Sequence, residues 1–239
     1  MQEVAGATYR LGRKRHNFYV VVDRGAATVV DAGGSAELSI LERALERLSM
    51  TLEHVEAILI THSHTDHVGF AGAAERRGVS VKAHEDEAEL LRDRSKASQI
   101  GMGDVPLWNP KVWLFLTEMI RAGAHKGYPV QNVETVGDGE PLDLPGRPRI
   151  VACPGHTVGH AAYVFEDRGV LFSGDALVTT GLIGGGAGPQ LLRPVFHHDP
   201  DLARESLNRF ASLGTTLLLP GHGDPWRGPI ADAVSLAAR

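Results

Sequence analysis

Four side chains able to bind a metal ion fall within the six residues His62-Ser63-His64-Thr65-Asp66-His67, directly after the apolar run 57–60. If that run is a strand, the two-residue alternation of side chains places His62 and His64 on one side. A turn into helix near Asp66 then lets its carboxylate and His67 emerge beside the first pair while aiming elsewhere. One segment can thus feed two adjacent metals. Imidazole and carboxylate are both good zinc ligands, and a catalytic site keeps at least one coordination position for water. A lone histidine is ordinarily a surface or structural residue; four ligands at this density reverse that expectation.

Three further residues extend the set. His156 stands in Cys153-Pro-Gly-His-Thr-Val-Gly-His160, Asp175 in Phe172-Ser-Gly-Asp-Ala, and His222 in Leu219-Pro-Gly-His-Gly-Asp-Pro225. Each lies on a glycine-bearing loop just past an apolar run, where a rigid sheet can aim it. Taken singly each reads as a turn residue; with the first cluster they read as ligands.

The elements that must position these loops are short β-branched runs at 19–22, 28–30, 57–60, 79–82, 149–152, 161–165, 170–172 and 216–219. Between them lie helical patterns. Segment 36–48 repeats leucine at spacings of three and four (Leu38, Leu41, Leu45, Leu48), with Ser35 as N-cap; 85–92 and 201–213 are similar. The alternation predicts an α/β layered domain rather than an all-β barrel or a helix bundle. The glycine-rich stretch 181–189 lacks the GxxxxGK[ST] phosphate-loop pattern and reads as a loop beside the site. Segment 95–129 concentrates large side chains (Ile100, Met102, Trp108, Trp113, Phe115, Met119, Tyr128) around a helix at 110–122. It reads as a helical lid insertion over a pocket, with an ordinary core helix and two connecting loops as the alternative.

In chain order, HxHxDH, GHTxGH, GD and PGHG resemble the metallo-β-lactamase superfamily, from about Val20 to Pro225. The resemblance is specific for fold and metal site and says little about substrate. It implies an α/β fold, an αββα sandwich of two mixed sheets flanked by helices, as one domain over 1–239 with the metals in a cleft at one edge of the sheets. Carried over by position, His62, His64 and His156 would hold one metal, and Asp66, His67 and His222 a second. Asp175 would bridge them. The cofactors implied are two divalent metal ions. Zinc is preferred because His64 is an imidazole where oxygen-reducing diiron relatives carry a carboxylate; ligand type alone leaves iron or manganese open.

Such a pair of ions, about 3.5–4 Å apart, lowers the pKa of a shared water toward ~7. The expected reaction is attack of the resulting metal-bound hydroxide on an ester, thioester or lactone carbonyl. Asp66 is the catalytic candidate, orienting the hydroxide or assisting proton transfer to the leaving group. Outside the ligands, Asp31 in Val30-Asp-Ala-Gly-Gly34 resembles the acidic turn that the superfamily places beneath its site, with a simple Asx turn as the alternative. His160 could support the ligands or lie on the surface. His197 and His198 could face the cleft without ligating, and Asp224 shapes the turn after His222. Trp108, Trp113, Phe115, Met119 and His197 are the candidates for a substrate pocket.

Among substrates, β-lactams are disfavoured, since true β-lactamases usually carry cysteine or serine in the place of Asp175. The glyoxalase-II type resembles the site, but the 17 residues after His222 (239 minus 222) cannot hold its helical extension. A lactonase is open, with 108–119 as an acyl pocket, although the tyrosine that many such enzymes place after Asp175 is missing. Two other classes stand beside a hydrolase: a mononuclear iron persulfide dioxygenase and a metal-binding protein without turnover.

The net charge of −5 argues against nucleic acid as the main partner, because phosphate binding needs clustered Lys and Arg. The basic run 10–15 is short. Neither a secretory leader nor a window of roughly 18 apolar residues is present, and the one cysteine, Cys153, cannot form an intrachain disulfide. A cytoplasmic enzyme with a small-molecule substrate and no nucleic-acid or membrane partner is expected; a homodimer is left open.

Overall fold

The computed structural model describes residues 1–12, 16–93, 108–123, 127, 129–139 and 141–239. The amino-terminal half builds a seven-stranded sheet in sequential order: β1 (Gln2–Ala5), β2 (Thr8–Gly12), β3 (Asn17–Asp23), β4 (Ala26–Val30), β5 (Val55–Ile60), β6 (Ser80–His84) and β7 (Val133–Val136). The first four strands pair antiparallel, and β4 through β7 pair parallel. The parallel half needs crossovers, which helices α1 (Leu38–Arg47), α2 (Thr65–Val68) and α3 (Ala71–Glu75), then α4 (Glu85–Arg92) and α5 (Pro110–Ala122), occupy.

A second sheet of five strands follows. It uses β8 (Arg149–Ala152), β9 (Ala161–Phe165), β10 (Val170–Gly174), β13 (Leu217–Pro220) and β14 (Trp226–Arg227), in the order β14-β13-β10-β9-β8. Only β10 and β13 pair parallel in it. Between them lie the hairpin β11 (Val178–Thr180) and β12 (Ala187–Gln190), and helices α6 (Pro200–Ser206) and α7 (Asn208–Ala211); α8 (Ile230–Ala237) closes the described chain.

Side-chain alternation divides the core into three layers. From the first sheet, Tyr19, Val21, Val30, Ala57 and Leu59 face the second sheet and meet Tyr163, Phe165, Phe172 and Leu219. Their neighbours Phe18, Val20, Val29, Ile58 and Ile60 face the helices and pack on Leu41, Leu45, Ala74 and Leu91. On the far side, Val164, Leu171 and Leu218 pack on Leu207, Phe210, Ile230 and Ala233. The order helix, sheet, sheet, helix is the αββα sandwich. Tyr163, Phe165 and Phe172 are fully buried, and burial of a side chain of that size contributes about 2 kcal/mol.

Several local expectations are corrected. The first helix begins at Leu38, after a single turn of 3-10 helix over Ser35–Glu37. Ser35 does not cap it; its hydroxyl donates to the Gly123 carbonyl instead. The segment 201–213 forms two short helices rather than one. Much of the glycine-rich stretch is the tip of the β11–β12 hairpin. Of segment 95–129, Ile100, Met102 and Tyr128 lie outside the described residues, and α5 is the described part. Asn109 caps α5 by accepting the Lys111 amide, Pro110 fills its first position, and Gly123 ends it in the left-handed conformation (φ 78°).

Candidate metal centre

The sheets bring the ends of β4, β5, β8, β10 and β13 to one rim, and each of those ends carries a residue of the site: Asp31, His62 with His64, His156, Asp175 and His222. Bonds between the sheets fix that rim. The Asn17 amide donates to Gly221, the Ala161 amide to Thr61, the Tyr19 hydroxyl to Pro220 and the Tyr163 hydroxyl to Ile60. After His64 the chain turns into α2, which carries Asp66 and His67 into the same space.

All seven proposed ligands converge. His62, His64 and His156 offer nitrogens within 4.8 Å of one another, and so, in a second group, do the ligand atoms of Asp66, His67 and His222. In the first group, Nδ1 of His64 lies 3.1 Å from Nε2 of His62 and 3.0 Å from Nε2 of His156. In the second, Nε2 of His222 stands 3.5 Å from both Nε2 of His67 and Oδ2 of Asp66. Asp175 reaches both groups, its Oδ2 lying 3.5 Å from His156 Nε2 and 3.1 Å from His222 Nε2.

Asp31 supports both groups from below. Its Oδ2 accepts from Nδ1 of His67 at 2.7 Å, so that once the ring is neutral its lone pair is on Nε2, facing the cleft. Its Oδ1 accepts the Thr61 amide and hydroxyl, and the Thr61 oxygen in turn stands 3.0 Å from Nδ1 of His62. Asp31 holds φ at 62°, a left-handed conformation that Asp tolerates better than most residues. His160 is buried and is not a member of either group. Its Nε2 accepts the Asp175 amide at 3.0 Å and its Nδ1 faces Cys153 Sγ at 3.1 Å.

The electrostatics follow from two carboxylates among buried imidazoles. Burial alone would raise Asp175, yet His222 and His67 hold it well below the ordinary carboxylate range. Asp66 is lowered in the same way. Burial pushes His62 and His156 well below the usual imidazole value, reinforced by neighbouring imidazoles, so both rings stay neutral. For His67 burial is outweighed by Asp175, Asp31 and Asp66, which together carry it up to about 10.

The donor set fits divalent metal ions. Oδ1 of Asp175 is buried without a hydrogen-bond partner, and Nε2 of His62 and Nε2 of His156 both crowd the single Nδ1 of His64, at 3.1 and 3.0 Å. A cation resolves both problems, since neutral imidazole and carboxylate are its natural ligands.

The pocket candidates divide. Phe115 is half-buried and, with Leu116, packs on a small cluster of Val112, Val178, Leu182, Ile183, Leu192 and Phe196. Met119 is half-buried further along the helix. Trp108 is 87% exposed and Trp113 54% exposed, so neither joins that cluster. The ring of His197 packs 5.3 Å from that of His156, with its Nε2 on the Leu192 carbonyl. Asp224 accepts from Arg10 and from the Thr179 hydroxyl. A groove of about 650 Å³ lined by Asp138, Arg149 and Arg209 lies elsewhere and includes none of the ligands. Sequence reasoning missed Thr61, Cys153 and Glu87, which act at one remove from the ligands; Thr61 adjoins His62 and Cys153 opens the His156 motif, while Glu87 carries no local signal.

Comparison with known proteins bears on the family and the fold. The profile of the metallo-beta-lactamase superfamily matches residues 11–222. An uncharacterized protein of Mycobacterium tuberculosis is 29% identical over 87% of this chain and 86% of its own length. A hydroxyacylglutathione hydrolase of Photobacterium profundum is 33% identical over 70% of this chain, but over only 45% of its own length. The crystal structure of a metallo-beta-lactamase family protein from Thermus thermophilus superposes with a TM-score of 0.68, at 27% identity, over 96% of this chain and 77% of that one. The chain belongs to the metallo-β-lactamase superfamily.

Proposed function

We propose that this protein is a dinuclear metal-dependent hydrolase, with zinc as the first choice of metal, that cleaves an ester, thioester or lactone carbonyl of a small molecule. The observation that carries the reading is Asp175, whose carboxylate lies within 3.5 Å of a nitrogen from each ligand group. Bound there, two divalent ions supply a strong nucleophile at neutral pH and polarise the carbonyl.

The chain's own residues do the rest. His62, His64 and His156 would hold one ion, Asp66, His67 and His222 the other, with Asp175 shared. Asp66 is ionised at neutral pH because His67 and His222 offset the cost of its burial, so a carboxylate oxygen is available to take a proton and pass it to the leaving group. His64 is the half-buried member of the ligand set, and a substrate would enter from its side. Phe115, Leu116 and Met119 of α5 offer apolar surface for an acyl group. The name of the Photobacterium relative supports a thioester among the three bond types.

Metal analysis together with a panel of lactones, thioesters, β-lactams and phosphodiesters tests the reading. The expected result is two ions per chain and turnover confined to the lactones and thioesters. That turnover should be abolished in His62→Ala and Asp66→Ala with circular dichroism unchanged. One iron per chain with oxygen uptake, or full turnover in His62→Ala, would refute it.

A further inference from the structure

Helix α4 holds a carboxyl group that belongs to neither ligand group. The Glu87 side chain is completely buried. Its Oε1 accepts the Thr157 hydroxyl and, at 3.1 Å, the Gly159 amide. Thr157 follows the ligand His156 directly, and Gly159 precedes His160. Ser63, between His62 and His64, adjoins the same carboxyl: its hydroxyl and amide both act to lower the Glu87 pKa, against the larger effect of burial. Even so, Oε2 of Glu87 and Oγ of Ser63 are both buried without a bond of ordinary geometry.

The backbone around Glu87 leaves little slack. A Cβ on Gly159 would come within 2.7 Å of the Asp86 backbone and of the Glu87 amide nitrogen. On its other flank the same loop is tied down by the Asp199 amide on Gly155 and the His198 amide on His156, and a Cβ on Gly155 would strike Ala203 at 2.1 Å. The His156 loop is therefore clamped between α4 and α6, and the α4 side of the clamp also touches the loop that carries His62 and His64.

We propose that Glu87 is a positioning residue that buckles the His62–His64 loop to the His156 loop and so sets how the first three ligand nitrogens converge. The inference rests on the metal-centre reading above. Supports of this kind, beyond the ligands themselves, typically change metal affinity by 10–100-fold when removed. A glutamine keeps most of the geometry, because its oxygen can accept from Thr157 and Gly159 while its amide donates to the Ser63 hydroxyl, and it loses an acceptor for the Ser63 amide.

The test is cobalt(II) binding to the metal-stripped full chain, read by visible absorption and chelator competition, with thermal unfolding of the stripped protein alongside. Glu87→Ala should weaken cobalt binding roughly 10–100-fold and change the absorption band. Glu87→Gln should bind more tightly than Glu87→Ala, because the contacts with Thr157 and Gly159 are conserved. Thr157→Val should weaken binding about tenfold, and adding Glu87→Ala to it should cost less than the two single effects combined. Wild-type affinity in Glu87→Ala, or a glutamine variant no better than alanine, overturns the proposal. If Glu87→Ala does not fold, Thr157→Val decides, and wild-type affinity there overturns it. A wild-type chain that takes up no cobalt overturns the metal-centre reading itself and this inference with it.

Discussion

The Asp175 amide donates to Nε2 of His160 at 3.0 Å, and this single bond fixes the tautomer of a buried ring. Because Nε2 accepts, the ring proton sits on Nδ1, where it faces the Cys153 sulfur at 3.1 Å. Burial holds the ring neutral, with its pKa down at about 3 in spite of the opposing Asp175 charge. His160 thus steadies the backbone of the carboxylate that reaches both ligand groups, without ligating.

Replacing His160 with alanine leaves the Asp175 amide buried and unpaired. An orphaned buried donor costs about 1–3 kcal/mol, so urea unfolding of the metal-stripped variant should show a loss of that order. Metal affinity should fall as well, by roughly 10–100-fold. An unchanged unfolding midpoint with unchanged metal uptake would mean that the ring has no supporting role.

Asp31 offers a cleaner separation of charge from shape. Its left-handed backbone (φ 62°) suits asparagine nearly as well as aspartate but penalises alanine by roughly 1 kcal/mol or more. Asp31→Asn should therefore fold normally yet weaken metal binding at the group that includes His67, by about 10–100-fold, because the charge that aligns Nδ1 is gone. Asp31→Ala should lose that affinity and stability together. Calorimetric titration with zinc resolves the two classes of site; equal loss at both would argue that Asp31 acts mainly through Thr61 and His62.

Among the groups with shifted pKa values, His67 and His160 act on the stability of the metal-stripped protein with opposite signs. His67 is raised to about 10, so its contribution to stability is fully present below about pH 6.5 and is lost as pH rises toward 10. His160 is depressed to about 3, so the unfolded chain binds the extra proton below about pH 6.5, and stability falls from there as pH drops toward 3. Stripped protein should be most stable near pH 6–7, by this argument. Because His67 must give up its proton to ligate, metal affinity should rise with pH over the alkaline part of that range. Urea unfolding across pH 5–10 checks the first expectation; a stability that climbs steadily to pH 10 contradicts it.

Much of the site could be read in the chain because ligation depends on local motifs. The His62 to His67 cluster announces itself by density, and strand ends followed by glycine marked His156, Asp175 and His222. The helix around Met119 was equally legible, since proline and glycine bracket it. The supporting residues were not. Glu87 lies in a run of acidic residues on α4, Glu85 through Glu89, that reads as a solvated helix start, and only the fold shows that this one acid is buried. The β1–β2 pair and β7 escaped notice because each strand is only four or five residues long and buries no more than two of them. For β7 the pairing partner, β6, lies some fifty residues away in sequence, and tertiary context rather than local propensity makes it a strand.

Gly34 links the acidic turn after β4 to α5, and it tests the role of that helix. A Cβ at Gly34 would meet the Ala122 carbonyl oxygen at 2.1 Å and its carbon at 2.7 Å. Those are backbone atoms, so no rotamer change relieves the clash, and the carboxyl end of α5 must move. Gly34→Ala should then displace Phe115 and Met119 while the strand ends that carry the ligands stay in place. For an acyl substrate resting on that apolar surface, loss of about 1.4 kcal/mol of contact raises KM roughly tenfold. Gly69 packs against the same turn, with Gly34 atoms 2.3–2.4 Å from where its Cβ would be, so metal content must be measured on the same sample. A raised KM for long acyl chains, with a small effect on short ones and two ions retained, supports α5 as a wall of the substrate site. Loss of metal in step with activity would instead show that the glycine contact serves the ligand loop, and α5 would lose its claim on the substrate.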